Sequence, residues 1–142
     1  MSTQPRSVPE VGDALPVWRV ESVSAEKMKT MAALLADPNP IHFDTAAVAQ
    51  LGMGDKPINQ GPLNMAYVMN MLSDWAGGHQ ALRRFRVRFV GTVVAEDALV
   101  SGGTVTGVSP DEGGHLVDAD VYLRREDGAD VLRGTATVLL AE

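Results

Sequence analysis

Gly61-Pro62-Leu63-Asn64-Met65-Ala66-Tyr67-Val68-Met69-Asn70-Met71-Leu72-Ser73-Asp74-Trp75-Ala76 is the stretch that decides the fold. Proline suits the first turn of a helix, where its missing N–H would be unpaired anyway. The residues after it are apolar on every side of a helical projection, and a helix of that kind is buried on most of its circumference. Its most apolar window, Pro62 to Leu72, is far short of the roughly 20 residues that span a bilayer and contains Asn64 and Asn70. The methionines read as adaptable packing.

Downstream, past Gly77-Gly78, the pattern changes to period two. Phe85, Val87 and Phe89 alternate with Arg84, Arg86 and Arg88. Further strands read as Ala98–Val108, His115–Arg124 and Ala129–Leu140, separated by Pro110-Asp111-Glu112-Gly113-Gly114 and Glu126-Asp127-Gly128. Turns this short make antiparallel neighbours.

Upstream, Leu15 to Val23 reads as a short strand, and residues 1–11 as a loose N-terminal tail. Ser24 caps a helix that Pro38 ends; Lys27 stands where a complete capping box has Glu or Gln. Asp44 or Thr45 caps a short helix through Ala46–Leu51. The whole is an α+β domain over residues 1–142, its antiparallel sheet wrapped around the long buried helix.

Composition bounds the function. The chain has 142 residues, 45% hydrophobic and 21% charged, enough for one self-sufficient core without a disulfide or metal staple. With no cysteine, thiolate metal sites and cysteine nucleophiles are excluded. A net charge of −6 argues against nucleic acid and anionic membranes as partners. The N-terminus shows no signal-peptide core, and a cytoplasmic location is expected. A chain of this length holds one compact layer, so a deep substrate pocket calls for a second copy.

Acid–base chemistry needs titratable groups held rigidly within reach of one substrate. Of the three histidines, His79 and His115 follow glycine pairs and read as solvated turn residues. His42 follows Asp37-Pro38-Asn39-Pro40, a turn locked by two prolines that carries Asp37 back toward it. On spacing alone the pair is either a catalytic dyad or a set of turn caps. Gly61 is the second candidate. Backbone N–H groups at a helix start favour a developing negative charge, although many helices begin with Gly-Pro.

The octapeptide Asp37-Pro38-Asn39-Pro40-Ile41-His42-Phe43-Asp44, followed by Ile58-Asn59-Gln60-Gly61 opening an apolar helix, resembles the MaoC-like (R)-specific enoyl-CoA hydratases of the hot-dog fold. Their signature is an Asp, four residues including Asn-Pro, then His, with a later His-Gly pair entering the central helix. The likeness runs on through Arg86-Val87-Arg88-Phe89. Beyond it the family has a proline-containing strand and Gly-Asp, where this chain has Thr92-Val93-Val94-Ala95-Glu96-Asp97. It spans about Val11 to the C-terminus.

The resemblance implies a hydratase or, in reverse, a 3-hydroxyacyl-CoA dehydratase. Asp37 is the implied base, His42 its acid–base partner, and the Gly61 amide the oxyanion donor. Asn39 is implied in support of the water. Gln60 stands where the family has His before the glycine, and Ala66 where a Ser often lies. Gln60, Asn64 and Tyr67 are expected near the acyl group; Asn64, Tyr67 and Asn70 line an acyl tunnel or simply pack. Arg86 and Arg88 either belong to a solvated strand face or meet coenzyme A phosphates.

No metal and no cofactor beyond the coenzyme A of the substrate is expected. The fold implies a homodimer or hetero-dimer with tunnels between the units. A non-catalytic acyl-CoA-binding partner subunit is the alternative, and a thioesterase a further one.

Overall fold

The computed structural model describes residues 7–142. Of the tail expected over residues 1–11, residues 1–6 lie outside the described part. The chain is tied down directly after it: Gly12 N–H donates to Val105 O at 2.8 Å and Leu15 N–H to Gly103 O at 2.9 Å.

Strand β1 covers only Trp18–Val20, shorter than the Leu15–Val23 expected. Ala14 still bridges to Thr104 beside it, and Pro16, which has no N–H, interrupts the ladder between them. Helix α1 spans Ala25–Leu34, and Ser24 caps it by accepting from Lys27 N–H. A 3₁₀ turn, Pro40–His42, leads into α2 at Thr45–Gln50, whose cap is Asp44. Helix α3 covers Gly61–Ala76 and ends at Gly77 in the left-handed conformation (φ 94°), which glycine adopts without steric cost. Strands β2 Leu82–Phe89, β3 Leu99–Asp111, β4 Gly114–Arg125 and β5 Asp130–Ala141 complete the chain.

The five strands form one antiparallel sheet in the order β1-β3-β4-β5-β2. The short turns do make β3, β4 and β5 neighbours. Strand β2 instead lies at the far edge against β5, because residues 90–98 carry the chain across the sheet before β3 begins. His115 opens the expected His115–Arg124 strand, lying in β4 opposite Pro110 and Leu140 and not in the turn that its preceding glycines suggested, because the β3–β4 hairpin is tighter than its Gly/Pro content implied.

Six α3 residues are buried: Leu63, Asn64, Val68, Met71, Leu72 and Ala76. They pack on the concave face of the sheet, where Val105, Val117, Ala119, Val121, Leu123, Leu132, Ala136 and Val138 are at most 3% exposed. Each of these valine and leucine side chains is worth about 1.5–3 kcal/mol when taken out of water. Met65, Ala66, Tyr67, Met69 and Asn70 are only half-buried, so the helix is less enclosed than its composition implied. This architecture, a sheet wrapped around one central helix, is the hot-dog fold.

Candidate active site

The end of α1 sets the first side chain. Ala36 N–H donates to Ala33 O (3.2 Å) and Asp37 N–H to Ala32 O (2.9 Å). This pair of bonds is a Schellman closure, and Ala36 sits in its left-handed position with φ 50°. Asp37 is thereby fixed at its backbone. Its Oδ1 accepts Asn39 N–H at 3.0 Å, and Asn39 Oδ1 accepts Ile41 N–H at 3.3 Å. Asn39 therefore works as the cap of the 3₁₀ turn, and its side-chain oxygen is occupied by the main chain.

The turn delivers His42 to the second carboxylate oxygen. His42 Nε2 lies 3.3 Å from Asp37 Oδ2. On the other side of the ring, Nδ1 is 2.6 Å from Ile58 O. A carbonyl oxygen only accepts, so Nδ1 carries a hydrogen, and Nε2 is the position that exchanges a proton with Asp37 or with a ligand. His42 is buried, while the Asp37 side chain is 31% exposed, so solvent meets the pair from the carboxylate side.

The carbonyl that orients His42 belongs to a strap, residues 57–59, held from both flanks. Ile58 N–H donates to Ile41 O (2.8 Å), Asn59 N–H to Val93 O (2.8 Å), and Ala95 N–H to Pro57 O (3.0 Å). The supporting turn contains Glu96 at φ 74°, with Lys56 Nζ 2.8 Å from its carboxylate. That ion pair lowers the Glu96 carboxyl and raises the Lys56 ammonium, by hydrogen bonding first and charge attraction second.

The strap runs into α3. Leu63 and Asn64 turn their N–H groups back onto Gln60 O (3.1 and 3.2 Å), and no side chain caps the helix. The Gly61 N–H takes no part in these bonds. A Cβ at position 61 would stand 3.1 Å from Phe89 Cζ, so glycine there lets the Phe89 ring close over the helix start.

The chain thus brings together Asp37, Asn39 and His42, with Gly61 three residues beyond the carbonyl that holds His42. The other sequence candidates lie elsewhere. Gln60 is 1% exposed; its Nε2 donates to Met28 O at 2.8 Å, tying α3 to α1, while its Oε1 has no hydrogen-bond partner. Asn64 is buried and accepts from Asn59 Nδ2 at 2.8 Å. Tyr67 is half-buried; burial pushes its phenol upward, and a hydrogen bond with Asn59 pulls the other way. Arg86 and Arg88 are exposed on β2 and line a groove of ≈ 480 Å³ with Phe89, Arg133 and Thr135, apart from the Asp37–His42 pair.

Two contributors escaped the sequence reading. A backbone carbonyl such as Ile58 O leaves no mark in residue type. Asn59 left one: a polar residue directly after Ile58, just ahead of a largely apolar helix.

Residues 9–123 match the MaoC like domain family. The chain belongs to that family. Among solved structures, it superposes on the R-hydratase PhaJ1 from Pseudomonas aeruginosa with a TM-score of 0.80 at 23% identity, over 94% of this chain and 83% of that one. The (R)-hydratase from A. caviae involved in PHA biosynthesis gives 0.81 at 24% identity, over 95% and 99%. A chain of the ChsH1-ChsH2 complex from Mycobacterium tuberculosis gives 0.78 at 21%, over 94% and 99%. No curated protein matches the sequence.

In this MaoC-like chain, the departures noted in the sequence have physical consequences. Gln60 is a strut to α1, and Glu96, in the stretch that departs from the family pattern, holds a left-handed backbone position. Among the described residues, no helix is long and apolar enough to cross a membrane.

Proposed function

We propose that the protein hydrates trans-2-enoyl-CoA thioesters reversibly to (R)-3-hydroxyacyl-CoA. The observation that carries the reading is the Asp37 Oδ2–His42 Nε2 contact of 3.3 Å, with His42 Nδ1 locked onto Ile58 O, in a MaoC-like chain.

The thioester carbonyl oxygen sits at the Gly61 N–H, where the α3 dipole favours the negative charge of the enolate. Water held at Asp37 gives a proton to the carboxylate as its oxygen bonds to the β-carbon. The C2=C3 electron pair moves through the α-carbon to the carbonyl oxygen. Collapse of the enolate takes a proton from His42 Nε2 onto the α-carbon. Asp37 is left protonated and His42 neutral, and transfer across their contact restores both. Proton and hydroxide have then added to the substrate, with none consumed from the protein. Dehydration runs the same steps backwards.

On this reading the protein works in the cytoplasm on an acyl-CoA, without a metal or redox cofactor. Arg86 and Arg88 meet the coenzyme A phosphates, and the working unit is a homodimer or a hetero-dimer with a related chain. The test is a coupled assay over short, long, branched and ring-bearing trans-2-enoyl-CoA substrates. Loss of one positioned acid or base costs about 10²–10⁴-fold in rate, so Asp37→Asn and His42→Ala should each lose that much kcat with an unchanged far-UV spectrum. Acyl-CoA binding without hydration by the native protein would make it a partner subunit. Release of free coenzyme A alone would make it a thioesterase.

A further inference from the structure

Between the strap and α3 lies a group of buried polar side chains that the Asp37–His42 chemistry does not use. Asn59 is 5% exposed and Asn64 3%. Asn59 Nδ2 donates to Asn64 Oδ1 at 2.8 Å, yet Asn59 Oδ1 has no hydrogen-bond partner. Swapping O for N in both amides only moves the unmet atom from an acceptor to a donor, so the deficit belongs to the site. Leaving such a group unpaired is destabilising, a cost that an apolar residue at position 59 would avoid.

The location gives the deficit a meaning. Asn59 follows the residue whose carbonyl orients His42 and precedes Gly61 by two positions, so it flanks both halves of the site. From Asn59 the polar groups continue along one side of α3 at helical spacing: Asn64 buried, then Tyr67 and Asn70 half-buried. Tyr67 is within reach of the Asn59 amide, as the opposing influences on its phenol record. A core helix whose other buried positions are Leu, Val, Met and Ala has no packing reason to carry this stripe. The exposed groove lined by Arg86, Arg88 and Arg133 on β2 and β5 is a separate polar surface and does not use this stripe.

We propose that Asn59, backed by Asn64 and Tyr67, is a recognition point for an oxygen-bearing acyl group, accepting a hydrogen bond from a hydroxyl carried on the chain beyond the reacting carbons. This rests on the hydratase reading and narrows it: the preferred substrates are hydroxylated enoyl thioesters, not plain alkyl ones. An apolar pocket discriminates poorly against an added hydroxyl, whereas a site built to bond that hydroxyl rejects the analogue lacking it.

The test pairs each trans-2-enoyl-CoA with its chain-hydroxylated counterpart of equal length, in the native protein and in Asn59→Val. The native protein should favour the hydroxylated member by roughly tenfold or more in kcat/KM, the scale of one buried hydrogen bond, and Asn59→Val should abolish or reverse that ratio. Binding of saturated, non-reacting acyl-CoA pairs is measured by calorimetry on the same two proteins. If no enoyl thioester is hydrated but the hydroxylated saturated ligand still binds more tightly through Asn59, the recognition point stands and the hydratase reading falls. Equal losses on both members of each pair, or no preference in the native protein, would overturn the proposal. Asn59→Ser, which keeps a hydroxyl acceptor, should retain part of the preference; if Asn59→Val fails to fold, that variant against Asn59→Ala carries the comparison.

Discussion

Ala36 offers a prediction whose sign follows from one backbone angle. It occupies the left-handed position of the Schellman closure of α1 at φ 50°, with its methyl group in solvent. Left-handed backbone costs a non-glycine residue about 1–2 kcal/mol. Glycine removes that cost but gives back about 0.4–1 kcal/mol through the greater freedom of its unfolded chain. Because the side chain buries nothing, no packing is lost, and Ala36→Gly should stabilise by about 0.5–1 kcal/mol. At this size that corresponds to a rise of about 2–4 °C in melting temperature. Ala36→Val, β-branched at the same angle, should lower it. The assay is urea unfolding followed by circular dichroism, with calorimetric melting alongside and the m-value expected to stay constant. A Gly variant less stable than the native protein, or a Val variant equal to it, would refute the strain argument.

Three further outcomes follow from the same physical accounting. Leu72 is 1% exposed beneath the sheet, so Leu72→Ala should cost about 2–5 kcal/mol in equilibrium unfolding. The chain has two tyrosines, so in a Tyr122→Phe background the absorbance near 295 nm reports Tyr67 alone. Its phenol is raised, chiefly by burial, so its ionisation should come later than in the unfolded chain. The stability it contributes is full below the unfolded value and falls as pH rises through the folded one; ionisation at or below the ordinary phenol range contradicts the burial. At Glu96, φ 74° favours glycine, so Glu96→Gly should melt above Glu96→Ala, the two sharing the loss of the Lys56 contact. The lowered Glu96 carboxyl makes the contribution of that contact present above the unfolded carboxylate value and lost as pH falls through the folded one.

What could be read in advance depended on whether the cause was local. Helix α3 is announced by its own composition, Ser24 and Asp44 cap where capping chemistry requires, and two prolines force the turn that joins Asp37 to His42. The position of β2 beside β5 was hidden, because nothing in the alternation of Phe85, Val87 and Phe89 names a partner such as Ala136, Gly134 or Leu132 far along the chain. The fate of Gln60 was hidden for a similar reason. Its amide is claimed by a carbonyl 32 residues upstream, and only the approach of α1 to α3 reveals that. Main-chain roles were the least legible of all, since Ile58 acts through an atom that every residue possesses.

Asp37 and His42 are aimed by Asn39 N–H, Ala32 O and Ile58 O, and the strap by Ile41 O, Val93 O and Ala95 N–H. Most side chains on these segments can be exchanged without moving those atoms. Natural variation is then free to change the surrounding side chains while the placement of Asp37 beside His42 persists. Superposition at TM-scores near 0.8 with barely a quarter of residues shared shows the fold surviving exchange of that extent.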